Sequence, residues 1–258
     1  MLRTRLITAA IALPLLLAGV IFAPVGAFTI FIGIATAWGL FEVVVMNEPR
    51  RGQLWLILLC GALPAITLLT CGPGPWLAPL AVIVALCALT LRVGIEGPCH
   101  ANVWTRVLGT LGVGVLFPYL AFLRNGPHGV AIVILMFLIV VASDSGAYFA
   151  GRSLGRIKLL PKVSPKKTLE GAVGGLAASV IAGLVLRPML TPNLGNRQMI
   201  ALAVVVAALA QVGDLANSAV KRIAGVKDSG WIFPGHGGLL DRTCSLVFPA
   251  VFTYYYFY

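Results

Sequence analysis

Two polar segments in the second half of the sequence contain the residue types that bind phosphate groups and divalent cations. In the segment 213–242, a carboxylate, a hydroxyl and two cations follow one another at i, i+4, i+7 and i+8, so they share one face of a helix. These four residues are Asp214, Ser218, Lys221 and Arg222. Such a face packs poorly against apolar neighbours, whereas it suits a bound phosphate together with a metal ion.

The same segment continues into a glycine-rich loop that contains a second carboxylate, Asp241. Asp214 and Asp241 could share a divalent cation, because Mg²⁺ is commonly bound through one or two carboxylates plus substrate phosphates. Three glycines would let the loop backbone approach a ligand closely, namely Gly235, Gly237 and Gly238. The further candidate catalytic residues of the loop are Lys227, Asp228, His236 and Arg242. A lone histidine such as His236 is more often a structural hydrogen-bonding group than a base.

The other polar segment is 143–171. Asp144 lies near the end of an apolar run, where an ionised carboxylate costs free energy unless it is paired, hydrated or bound to a metal. Six lysine and arginine residues follow within 152–167, and they suit polyanionic oxygens. We interpret 164–168, with Lys166 and Lys167, as a turn leading into a helix N-terminus, where backbone N–H groups bind phosphate. The alternative for these cations is an ordinary basic loop against anionic headgroups.

The sequence as a whole is too apolar for a soluble protein. Of its 258 residues, 59% are hydrophobic and only 10% are charged, whereas a soluble domain carries about 25% charged residues. This composition excludes a soluble enzyme, a nucleic-acid-binding protein and a disordered tail. The net charge of +11 is therefore attributed to cytoplasmic loops, where lysine and arginine collect.

The hydropathy pattern predicts an all-α, polytopic integral membrane protein with about eight to nine transmembrane helices. The predicted spans are 6–22, 27–46, 53–71, 76–92, 104–123, 129–149, 170–190 and 198–220, with a short ninth apolar segment at 244–258. With a cytoplasmic N-terminus, 16 of the 19 lysine and arginine residues fall on the cytoplasmic side, which fixes the predicted orientation.

The predicted organisation has two regions. Residues 1–128 form an N-terminal region of about five spans. Residues 129–258 form a catalytic region with the cytoplasmic loops 151–171 and 221–242 and a polar cleft that faces the cytoplasm. The chemistry is placed there because polar groups in a membrane protein are retained at functional sites.

The sequence resembles the bacterial phosphatidate cytidylyltransferases, also called CDP-diglyceride synthases. The resemblance is carried by Ser218-x-x-Lys221-Arg222, Lys227-Asp228 and Pro234-Gly235-His236-Gly237-Gly238-x-x-Asp241-Arg242, by the stretch from Ser143-Asp144 to Gly171, and by Glu42 on the second span. It implies a multi-pass enzyme of the cell inner membrane that condenses CTP with phosphatidic acid to CDP-diacylglycerol and pyrophosphate. It also implies Mg²⁺, and K⁺ beside it, near Asp214 and Asp241. Membrane lipids are expected partners, a homodimer is a candidate assembly, and no nucleic-acid partner is expected.

One position departs from the family pattern, because Cys244 stands where the family usually has an aspartate after the Asp-Arg pair. A weakened paralogue is therefore one alternative. A second is a related CTP-dependent membrane enzyme that acts on a polyprenyl or phytyl lipid, although the complete loop at 234–242 argues against it. A transporter or ion channel is a third, and it is disfavoured because the charged residues cluster at the cytoplasmic edge rather than at mid-span.

Overall fold

The computed structural model describes residues 14–46, 113–232 and 237–258, together with the isolated positions 66, 69 and 72. Residues 14–22 are helical. The elements that follow are α1 (Val25–Met46), α2 (Pro118–Asn125), α3 (Gly129–Ser153), β1 (Lys158–Leu160), β2 (Ser164–Thr168), α4 (Leu169–Leu190), α5 (Asn196–Ile223) and α6 (Leu240–Phe257).

Four of the described helices are long and apolar enough to cross a membrane: α1, α3, α4 and the stretch Asn196–Arg222 of α5. They coincide with the predicted spans 27–46, 129–149, 170–190 and 198–220. On α4, the side chains of Val173, Ile181 and Val185 are all more than half exposed, which suits contact with lipid rather than water. The chain is a membrane protein.

The remaining predicted spans have different outcomes. The span 76–92, the span 53–71 apart from residues 66 and 69, and residues 104–112 of the span 104–123 lie outside the described residues. The span 6–22 is described only from residue 14 onward. The predicted segment 244–258 is helical, as part of α6. That helix is not among the four described candidates for crossing a membrane.

A small β-hairpin modifies the all-α prediction. Strands β1 and β2 pair antiparallel, with Lys158 opposite Thr168 and Leu160 opposite Ser164, so the predicted turn at 164–168 is a strand. Pro165 disfavours a helix there, and both strands of a two-stranded hairpin are edges, where proline is tolerated. The hairpin leads directly into α4, where the Thr168 hydroxyl accepts the Gly171 N–H at 3.1 Å.

The chain forms two compact units. Unit 1 comprises Met1–Phe122 and Val220–Thr243, and unit 2 comprises Leu123–Ala219 and Cys244–Tyr258. The predicted division of the chain into 1–128 and 129–258 stays a prediction.

Small residues bring α3 and α4 into close contact within unit 2. A Cβ on Gly146 would lie 2.5 Å from the Ala178 Cβ and 2.8 Å from the Gly174 carbonyl oxygen. A Cβ on Gly175 would lie 2.8 Å from the Ser143 carbonyl oxygen. Small residues at such contacts let membrane helices approach each other and gain van der Waals packing. This contact fixes the relative position of the two helices that flank the hairpin.

Replacing Gly146 with alanine is expected to lower the free energy of unfolding by about 1–3 kcal/mol, because the added methyl meets backbone that cannot move aside. The measurement is the thermal unfolding midpoint in detergent. Gly26→Ala is the matched control, since a Cβ at Gly26 has nothing within 4 Å. Equal midpoints for Gly146→Ala and the parent protein would contradict the packing role of this glycine.

Candidate active site

A pocket of about 380 Å³ lies within unit 2 and is lined by residues of α3, α4, α5 and the hairpin. It brings together four residues that the sequence marked as candidates, although they are up to 70 positions apart: Asp144, Lys166, Lys167 and Asp214. Tyr148, Arg152 and Gln211 also line it. Two carboxylates therefore share a cavity with three cations, an arrangement that suits a phosphate chain and its metal ion.

An ion pair joins the two sides of this pocket. The Lys167 ammonium lies 2.5 Å from Asp214 Oδ2, and the two side chains are 28% and 43% exposed. Alternation along β2 leaves Lys166 exposed and Lys167 half-buried. Because the pair remains accessible from the pocket, a bound anion can compete for the lysine and a cation can compete for the carboxylate.

The base of the hairpin is fixed by Glu170 in the first turn of α4. The Ile157 N–H donates to both carboxylate oxygens of Glu170, at 3.1 and 3.2 Å, and the Leu169 N–H donates to the Ile157 carbonyl at 2.9 Å. These bonds hold the start of β1 against the start of α4. They thereby determine where the adjacent strand presents Lys166 and Lys167.

Gln211 is a pocket residue that the sequence analysis did not select. Its Nε2 donates to the Ala172 carbonyl at 3.1 Å and to the Ser143 hydroxyl at 3.4 Å. These bonds tie α5 to both α4 and α3 within unit 2. The available signal was an amide directly after the continuous apolar run 199–210 of a predicted span, where a polar side chain is retained only with a partner.

Cys244 lies beside Asp214, also within unit 2. Its Sγ is 3.8 Å from Asp214 Oδ1, in position to donate a weak hydrogen bond. Cys244 therefore contacts a carboxylate that lines the pocket, at the position where the family pattern expects an aspartate.

A second polar cluster lies within unit 1 and is centred on Asp241. The Lys221 ammonium lies 2.5 Å from Asp241 Oδ1. Asp241 Oδ2 accepts the Ser229 N–H at 2.8 Å, the Ser229 hydroxyl at 3.0 Å and the Gly238 N–H at 3.1 Å. Burial raises the pKa of the carboxyl, but the bonds from Lys221 and the two N–H groups outweigh it and hold the pKa below its usual value. Asp241 is therefore an ionised carboxylate at neutral pH.

Glu42 is the buried carboxylate of the same cluster, with 3% of its surface exposed. Its Oε1 accepts the Leu239 N–H at 2.7 Å and the Trp38 indole N–H at 3.1 Å. Its Oε2 accepts the Leu240 N–H and the Ser229 hydroxyl, both at 3.0 Å. In the sequence, Glu42 was connected only with the family resemblance and had no predicted place in the site, and Ser229 was not predicted at all.

Two of the predicted ligand-binding glycines lie against these carboxylates. Gly237 has a φ of +85°, a conformation that favours glycine, and a Cβ there would lie 2.6 Å from Asp241 Oδ2. A Cβ on Gly238 would overlap the Glu42 carboxylate and the Ser229 hydroxyl. The close approaches in the structure are therefore to carboxylates of the protein itself, and contact with a bound phosphate stays a prediction.

The other candidate residues belong to α5 and to the segment 224–242 that follows it. Helix α5 contains all four residues of the predicted polar face, with Ser218 half-buried and Arg222 exposed. The Arg222 guanidinium donates to the Val226 carbonyl at 3.4 Å. Lys227, Asp228 and Arg242 are exposed, and Gly235 and His236 lie outside the described residues. Asp214 belongs to unit 2 and Asp241 to unit 1, so a cation shared between them stays a prediction.

The donor set fits Mg²⁺ with substrate present better than it fits a metal held by the protein alone. Among residues 14–46, 113–232 and 237–258, no three His, Cys, Asp or Glu side chains form a metal-binding group. Asp144 and Asp214 nevertheless offer carboxylate oxygens to one pocket. Mg²⁺ prefers oxygen ligands and is usually held by one or two carboxylates, with phosphates and water completing the octahedron.

Comparison with known proteins agrees with this chemistry. The profile described as the cytidylyltransferase family matches residues 3–258. The phosphatidate cytidylyltransferase of Bacillus subtilis is 32% identical over 235 residues, covering 88% of this chain and 87% of that protein. The protein of that name in Brucella suis is 35% identical over 239 residues, with 88% and 82% coverage. The one in Haemophilus influenzae is 37% identical over 187 residues, with 66% and 65% coverage. This chain belongs to the cytidylyltransferase family, a family of nucleotidyltransferases.

Proposed function

We propose that the protein transfers the cytidylyl group of CTP to phosphatidic acid, producing CDP-diacylglycerol and pyrophosphate for phospholipid biosynthesis. The observation that carries this proposal is the pocket in which Asp144 and Asp214 lie with Lys166 and Lys167. Both substrates are polyanions, and one is a lipid, so a charged pocket at the ends of apolar helices suits them. The family membership of the whole chain supports the same reaction.

The reaction needs no nucleophile from the protein. A phosphate oxygen of phosphatidic acid attacks the α-phosphorus of CTP, a new P–O bond forms, and the bond to the bridging oxygen breaks as pyrophosphate leaves with its electron pair. The main barrier is repulsion between two anions, so positioned cations and orientation dominate catalysis. We assign charge neutralisation to Lys166, Lys167, Lys221 and Arg222, and a hydrogen bond from Ser218 to a phosphate.

The carboxylates have a separate role in the proposal. Asp214 and Asp241 would hold Mg²⁺, which when bound supplies positive charge to the triphosphate. Asp144 and Asp228 would complete this arrangement or orient the lysines. In the structure, Lys167 and Lys221 each neutralise one of the two principal carboxylates. The partial exposure of the Lys167–Asp214 pair supports an exchange of this lysine from carboxylate to phosphate when a substrate binds. A K⁺ ion rests on the family resemblance alone.

We also propose the finer topology: about eight to nine spans, a cytoplasmic N-terminus and a cleft open to the cytoplasm. The bias of lysine and arginine toward one set of loops supports this orientation. We propose the inner membrane as the location, which the bacterial origin of the relatives supports. CTP would enter from the cytoplasm, and the diacyl chains would enter from the bilayer.

Asp214→Asn and Asp241→Asn are each expected to reduce turnover below about a tenth of the parent rate, a loss above about 1.4 kcal/mol of transition-state stabilisation. The amide keeps the shape but loses the charge that a cation needs. The measurement is formation of a CDP-lipid from labelled CTP and phosphatidic acid in membranes. Glu96→Gln is the control, because this residue lies outside both polar segments. If either aspartate variant keeps near-parental turnover, that aspartate does not bind the metal ion.

The orientation is tested with single cysteines at positions 153 and 193 in a background without native cysteines. Both positions are exposed in the structure. On intact cells an impermeant thiol reagent should label position 193, and it should label position 153 only after permeabilisation. The reverse pattern would overturn the proposed orientation.

Cys244→Ser is expected to keep turnover within about threefold, because the hydroxyl preserves a donor to Asp214. Cys244→Asp should match or exceed the parent at low Mg²⁺, since it adds an oxygen ligand beside Asp214. Both are measured as rates against Mg²⁺ concentration at equal expression. A large loss in Cys244→Ser would mean that the thiol itself takes part. An inactive parent that Cys244→Asp restores would mark the chain as a weakened paralogue.

A further inference from the structure

We propose that Glu42 is a positioning residue for the reaction: its carboxylate holds residues 229–230 and 238–241 in the conformation that presents Asp241 and Lys221 to the substrates. The inference rests on the proposed function, because it concerns the residues assigned there to the metal and the phosphates. Glu42 acts through Asp241, since its own buried oxygens are already occupied by protein donors.

Glu42 is the acceptor in all four of its hydrogen bonds. Each oxygen accepts two bonds, and the four donors are an indole N–H, a hydroxyl and two backbone N–H groups. An ionised carboxylate offers about four acceptor positions. The four donors fill these acceptor positions, so replacing either oxygen with an N–H donor would set donor against donor.

Two of these donors place Glu42 at the N-terminus of α6. The N–H groups of Leu239 and Leu240 point along the helix start, where backbone donors have no partner inside the helix. A carboxylate at this end also interacts favourably with the helix dipole. Since Asp241 is the next residue along the chain, fixing this turn fixes the backbone that carries it.

Ser229 connects Glu42 directly to Asp241. Its hydroxyl oxygen lies 3.0 Å from Glu42 Oε2 and 3.0 Å from Asp241 Oδ2, so one hydroxyl hydrogen serves two carboxylates. The Ser229 N–H donates to Asp241 at 2.8 Å. A displacement of Glu42 is therefore transmitted to Asp241 by a side-chain bond as well as through the backbone of α6.

The loop backbone is shaped around the Glu42 side chain. A Cβ on Gly230 would lie 2.7 Å from Glu42 Oε1, and a Cβ on Gly238 would overlap the same carboxylate. One glycine on each arm of the loop thus leaves space for the buried Glu42 side chain. This second observation is independent of the hydrogen bonds and supports the same assignment.

The test is Glu42→Gln, which preserves the shape but replaces one acceptor with an NH₂ donor. Hydrogen–deuterium exchange of the peptide containing residues 239–241 should become at least about tenfold faster, because protection by Glu42 is lost. In the same preparation, the Mg²⁺ concentration for half-maximal CDP-lipid formation should rise at least about fivefold, because Asp241 is no longer held in place. Exchange in α3 should not change.

Thr36→Val is the matched control on the same helix. Thr36 is buried, and its hydroxyl bonds only locally, to the Ile32 carbonyl at 2.7 Å. This variant should leave both the exchange of 239–241 and the Mg²⁺ dependence at parental values.

If Glu42→Gln does not insert, Ser229→Ala tests the same link to Asp241. It should raise the half-maximal Mg²⁺ concentration by about threefold while the N–H groups of Leu239 and Leu240 stay protected.

The outcomes are separable. Unchanged exchange at 239–241 in Glu42→Gln would overturn the inference, whatever the activity. Faster exchange with parental turnover and parental Mg²⁺ dependence would also overturn it, because Glu42 would then only cap the helix. A parent protein that forms no CDP-lipid would instead overturn the proposed function, while exchange at 239–241 would still decide whether Glu42 holds the loop.

Discussion

Ionised carboxylates at the ends of apolar helices must find donors or cations within the protein, and the described structure is arranged around this requirement. Asp214 is satisfied by Lys167, Asp241 by Lys221 and two N–H groups, and Glu42 by four neutral donors. The desolvation that makes an isolated anion costly also strengthens each of these interactions. The same charges that would be unfavourable alone therefore define two ordered polar clusters, one in each unit.

The two clusters differ in how firmly they hold their charges. In unit 2 the Lys167–Asp214 pair is open to a pocket, and the two side chains remain partly exposed. In unit 1 the Asp241 side chain is only 5% exposed and is held from several directions. An accessible pair is suited to exchanging partners when a substrate binds, whereas a buried one is suited to keeping its geometry. The proposed reaction requires both properties.

Residue type and spacing predicted the four described spans and the two segments that carry the polar clusters, because a membrane leaves an apolar run of about 20 residues little alternative to a helix. The hairpin was not predictable, since β1 and β2 are too short to show an alternating pattern. Glu42 had no predicted place in the site and Gln211 was not selected, because their roles depend on partners far along the chain. Spacing within one segment carries no information about such contacts.

The bond between Glu42 and Ser229 spans 187 positions of sequence, and those to Leu239 and Leu240 span 197 and 198. During synthesis the N-terminal part of a chain forms first. Helix α1 therefore enters the membrane before any of its loop donors have been made. Until residues 229–240 have been translated, Glu42 lacks these three donors. Translation of this segment thus supplies the groups that fix the position of the early helix, which couples a late step of synthesis to the assembly of the loop around Asp241.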